Sequence, residues 1–136
     1  MRQYRIDGRL VKDIPSLCET FERAVGGVPG TWGHTLFAFD DHLFGGYGLV
    51  APCEIVWEHH EVSKRNLDAN ALIRWCDDKE EHSPQDEDPE VRAWLADTGA
   101  KAAAGVRTLF DVIVEGIRSV SSRSGDASWR VDLTLT

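Results

Sequence analysis

No lysine or arginine occurs anywhere between Ala24 and Ser63. Several other absences narrow the field before any motif is read. The chain of 136 residues has three cysteines, Cys18, Cys53 and Cys76, an odd and widely spaced set without a CxxC pair. That excludes a disulfide framework and a structural zinc site, and points to reduced, buried thiols. No apolar run approaches a membrane span, and Met1-Arg-Gln-Tyr-Arg-Ile-Asp-Gly8 lacks the apolar centre of a signal peptide. A reducing cytoplasm is the expected compartment. A glycine-rich phosphate loop, a nucleophile elbow and an internal repeat are also missing from the sequence.

What is present is acid, unevenly spread. The net charge is −8. Residues 77 to 90 hold eight acids against Lys79 alone, and the Lys/Arg-free stretch holds five acids more. The rest of the chain is therefore net basic by four charges. Nucleic acid is a poor partner for such a surface, since phosphate binding needs a basic patch. A basic protein partner is favoured, because opposite potentials speed the encounter.

The length fits one domain, residues 1 to 136, with an acidic surface insertion at about 77–90. Tyr4 to Gly8 reads as an opening strand, and Asp13-Ile-Pro-Ser16 starts a helix with the apolar stripe Leu17, Phe21, Ala24 and Val25. Glu19 and Glu22 are placed near its positive end. A second helix is expected from about Gly33 to Phe44, stopped by Gly45-Gly46, and a buried strand over Cys53 to Trp57. Helical patterns follow at His60–Arg65, Asn70–Trp75 and, for a turn or two, Glu90–Ala96. The longest has Val106, Leu109, Phe110, Ile113, Ile117 and Val120 at core spacing, with Ala102-Ala-Ala104 and Gly105 before it read as close helix packing. Trp129 to Thr136 alternates as a closing strand. Strands separated by helices imply an α/β domain with a small three-stranded parallel sheet flanked by helices. The closing strand is expected at the centre.

The stretch from Pro29 to Asp41 carries most of the functional signal. With Leu36, Phe39 and Leu43 turned inward at helical spacing, Asp41 falls opposite them, flanked by Phe37, Phe44 and His34. An exposed carboxylate among aromatics has the make-up of a protein-binding hot spot. The five tryptophans are expected in the core, except Trp32, whose glycine-flanked loop leads into this face.

In their order and spacing, several of these pieces resemble the barstar family of intracellular ribonuclease inhibitors. They are Ile6-Asp-Gly8 with Ile14-Pro-Ser-Leu17; Pro29, Trp32, Gly33, Leu36, Ala38 and Asp41; Pro52, Trp57 and Ser63-Lys64; and Trp129 to Thr136. The match is close over residues 4 to 67 and only an outline in the last third. It implies a protein that binds a secreted guanyl-specific ribonuclease one-to-one and plugs its active site with the second helix and the loop before it. A helix carboxylate then fills the substrate-phosphate pocket, and by position it is Asp41. The sequence departs from the best-known member at Phe37, where an acid is usual, at Asp40, where a tryptophan is, and at Thr31, where a tyrosine is. Gly45-Gly46-Tyr47 lengthens the following loop. Glu115 corresponds loosely to a second acid on the last helix.

The resemblance thus implies an inhibitor without turnover or cofactor, monomeric on its own. Asp41 is its anchor, Phe37, Phe44 and Trp32 its apolar contacts. Thr31, Gly33 and His34 shape the loop, with Asp40, Gly46 and Tyr47 at the rim. One alternative is an interaction module of the same fold with a different partner. Another is a small enzyme using His34 and Asp41, but seven residues along one helix is about two turns, too far for a base and its orienting acid. Adjacent His59 and His60 send their rings apart, which disfavours a shared metal.

Overall fold

The computed structural model describes residues 1–78, 81 and 88–136. Three strands, β1 (Arg2–Asp7), β2 (Cys53–Glu58) and β3 (Val131–Leu135), run parallel in the order β1-β2-β3. Six helices lie among the described residues: α1 (Ile14–Ala24), α2 (Leu36–His42), α3 (His60–Asn66), α4 (Ala69–Asp77), α5 (Pro89–Ala103) and α6 (Leu109–Arg123). This is an α/β domain built on a small all-parallel sheet.

The expectation of a central closing strand is corrected: β2 is central and β3 is an edge. Burial explains the order. Ile55, Val56 and Trp57 are consecutive buried residues, so β2 is covered on both faces, whereas β3 becomes half-exposed beyond Val131. The register sets Tyr4, Ile55 and Leu133 side by side, and likewise Ile6, Trp57 and Leu135. Helices cover that face. Trp57 meets Phe21 of α1 at 5.9 Å and Phe110 of α6 at 5.4 Å, both edge-on. On the opposite face, polar side chains flank the buried Val56, with Glu54 accepting from Gln3 at 2.7 Å and from Thr134 at 2.7 Å.

Side-chain caps start every described helix except α3. Asp13 and Ser16 form a reciprocal capping box at α1, and Thr108 with Asp111 does the same at α6. Asp68 accepts from Ala71 N at 2.8 Å to open α4. Gly8 follows β1 where a Cβ would lie 2.4 Å from the Glu58 carbonyl oxygen. Its own carbonyl instead accepts from Ser63 Oγ at 2.6 Å, and that hydroxyl accepts from Trp57 Nε1 at 2.9 Å. Gly8 and Ser63 therefore lock the ends of β1 and β2 to α3 with every buried polar atom of the trio engaged.

Four more expectations change. Pro89–Ala103 is a full helix, not a turn or two. Gly105, with φ 74° and open space around it, is a helix-terminating residue and not a packing contact. Val106 is 72% exposed in the turn that follows. Within the acidic segment, Asp77 is exposed but helical, closing α4, and Glu81 is buried; residues 79, 80 and 82–87 lie outside the described set.

Candidate functional site

α2 begins at Leu36, later than expected, because Thr35 caps it. Thr35 Oγ1 accepts from Ala38 N at 3.1 Å, and Glu81 Oε2 accepts from Leu36 N at 2.9 Å. His34 consequently lies outside the helix. The premise that His34 and Asp41 share it, two turns apart, does not hold. His34 is exposed beside a hollow of about 290 Å³ that Lys12, Arg74 and Glu81 also line.

Leu36, Phe39 and Leu43 are buried, as their spacing demands, and Phe39 packs edge-on against Phe21 at 4.8 Å. Asp41 is opposite them and exposed. Among the described residues, no hydrogen-bond or ion-pair partner meets its carboxylate. Its neighbour has the contrary environment. Asp40 receives two parallel bonds from Arg123, 2.7 Å and 2.8 Å long, and Arg123 also bonds the Gly116 carbonyl and Ser119 Oγ. The guanidinium lies 5.1 Å from the centre of the half-buried Phe44 ring. The stretch without lysine or arginine is thus neutralised at one acid, from far along the chain, and left charged at the next.

The other flank of α2 is aromatic. The His42 ring sits between Trp32, at 5.3 Å, and Tyr47, at 4.1 Å. Its Nδ1 is bonded to the Ala38 carbonyl, which can only accept, so that nitrogen carries the proton. Tyr47 is 49% exposed. Trp32 must be corrected from contact residue to foundation: its exposure is 0%. Its Nε1 donates to the Tyr47 carbonyl at 3.0 Å, tying the loop before α2 to the loop after it.

Glu22 completes this foundation. It belongs to the last turn of α1, not near the positive end, and its buried carboxylate accepts from Trp32 N at 3.0 Å and, more loosely, from Thr31 Oγ1 at 3.5 Å. Burial pushes the carboxyl up, but the N–H groups of Trp32, Gly30 and Thr31 outweigh it and hold the pKa below the usual value. After the helix, Gly45 and Gly46 take φ values of 99° and 92°. A Cβ on Gly45 would come 2.7 Å from the Trp129 ring, whose Nε1 donates to the Leu43 carbonyl at 3.1 Å.

The remaining expected residues divide into two groups. Gly33 and Gly46 are exposed and Thr31 is half-buried, its hydroxyl donating to the Val28 carbonyl at 2.7 Å. Phe37, Asp40 and Glu115 line one cleft between α2 and α6, where the exposed Glu115 pairs with Arg107. Sequence reasoning missed Glu22, Glu81, Arg123 and Trp94. Trp94 alone left a signal, an aromatic residue on a helix otherwise short of large apolar side chains.

Burial pushes the Cys18 thiol up to about 12 and the Cys53 thiol to about 11, so neither is a thiolate nucleophile near neutrality. Among the described residues, no three His, Cys, Asp or Glu side chains are grouped to hold a metal ion, and no helix is long and apolar enough to cross a membrane. Neither a protein-family model nor a curated protein sequence matches the chain.

Proposed function

We propose that this protein inhibits a secreted guanyl-specific ribonuclease by occupying its active site, in the manner of the barstar family that its sequence resembles. Binding is one-to-one, without turnover or cofactor, and holds the enzyme inactive in the cytoplasm of the cell that makes it. One observation carries the reading. Asp41 presents an exposed carboxylate, unpartnered among the described residues, on the crest of a short helix held along both flanks. A carboxylate already fixed in place loses little further freedom on binding, and its two oxygens match the geometry that an arginine-lined phosphate pocket recognises.

Asp41 is the anchor in this reading. Phe37, Phe44 and Tyr47 supply apolar area, Gly33, His34 and Gly46 shape the surface, and Asp40 and Glu115 sit at its edge with their charges met by Arg123 and Arg107. A standard interface covers about 1,600 Å² in total. The test is inhibition of RNA cleavage by a panel of secreted guanyl-specific ribonucleases, wild type beside Asp41→Ala. Stoichiometric inhibition that weakens in the variant by about 2 kcal/mol or more supports the reading. Silence across the panel rejects these enzymes as partners. Equal losses from Asp41→Ala and from neutralising Asp77 and Asp78 would show that bulk charge drives association and would remove Asp41 as anchor.

A further inference from the structure

A cleft of about 640 Å³ opens between α2, α5 and α6. Its wall is a run of rings: Phe37 lies 6.0 Å from Trp75, and Trp75 meets Trp94 edge-on at 5.8 Å. Val91, Val112 and Ile113 complete the apolar lining. Trp94 remains 40% exposed, an unusual position for the largest apolar side chain on a helix. The charges at the mouth are unbalanced. Asp40 and Glu115 are paired with Arg123 and Arg107, whereas Asp88 and Glu90 have no basic partner among the described residues.

We propose that this cleft is a socket for one aromatic or large aliphatic side chain of the protein partner, carried on a segment with lysine or arginine beside it. The apolar walls take the side chain, and Asp88 and Glu90 take the flanking cation. Phe37 and Asp40 belong to both the socket and the α2 surface, so the partner that covers Asp41 reaches it without a second interface. The inference rests on the reading of α2 as a binding face for a basic protein.

The first part of the test needs no ribonuclease. The indole N–H signals of Trp75 and Trp94, assigned through Trp→Phe variants, are followed by NMR while the blocked peptides Ac-Lys-Phe-Lys-NH2, Ac-Lys-Ala-Lys-NH2 and Ac-Glu-Phe-Glu-NH2 are added. Saturable shifts are expected with Lys-Phe-Lys at about 1–10 mM, and at least about tenfold weaker binding with the other two. Trp94→Ala removes a wall and Val91→Trp fills the space; both should abolish the response while leaving the other indole signals in place. Equal response to the alanine peptide would reduce the site to bare charge. Equal response to the glutamate peptide would remove the basic flank, and no saturable shift would overturn the socket. Inhibition of a ribonuclease by Trp94→Ala at wild-type strength would reject the socket while keeping the inhibitor. Lys-Phe-Lys binding without inhibition of any ribonuclease would keep the socket and reject the enzyme as partner.

Discussion

The two flanks of α2 hold the same helix by different physics. Toward α6, the Asp40–Arg123 pair and the Phe44 ring under the guanidinium form a charged clamp that water partly reaches. Toward the glycine loop, Trp32, His42 and Tyr47 form a stack founded on a fully buried ring. A half-exposed ion pair loses most of its Coulomb energy to solvent screening, whereas a buried aromatic keeps its whole transfer energy. The aromatic flank should therefore hold the helix in place and the charged flank should tune its angle.

The sharpest way to break this comparison is Trp32→Ala, which we expect to cost about 3–5 kcal/mol in denaturant unfolding. A loss no larger than that of an exposed ring would make the stack incidental. Next comes Glu22→Gln, at about 2 kcal/mol, because it removes a charged acceptor while keeping its shape. The pH dependence has a defined sign. Glu22 has a lowered pKa in the folded state, so its contribution is complete above the ordinary carboxylate range and is lost as pH falls through the depressed value. The gap between wild type and Glu22→Gln should close on acidification, and a constant gap would mean that the carboxylate's charge is irrelevant.

The charged flank should yield less. Asp40→Ala and Arg123→Ala are each expected to cost about 1 kcal/mol, with a coupling in the double-mutant cycle that shrinks in salt. A coupling as large as the Trp32 effect would reverse the ranking. Smallest of all is Asp41→Asn, predicted to change stability by no more than about 0.5 kcal/mol, since no described residue bonds that carboxylate. A larger loss would mean that Asp41 is structural, and its place as anchor would fall.

The elements that follow a repeating pattern were legible in the sequence: the capped α1, the apolar spacing of Leu36, Phe39 and Leu43, the buried run in β2. The position of β3 was not, because alternation shows which face of a strand is covered but not which neighbour it takes. Trp32 was misread for a related reason. A glycine-flanked loop marks a surface turn, yet this one folds back over the Glu22 carboxylate and carries its indole inward. Arg123 and Asp40 gave no local warning, as 83 residues separate them. Of the site itself, Asp41 could be placed by helical geometry alone, while its isolation beside a neutralised neighbour needed the tertiary structure.

That separation has a consequence in time. Leu43 is anchored by Trp129, 86 residues further on, and Asp40 by Arg123. A ribosome releases α2 early, but both clamps emerge only after α6 has been made. The surface encoded early is thus completed late, and a nascent chain cannot present Asp41 in its final setting until Trp129 has been synthesised.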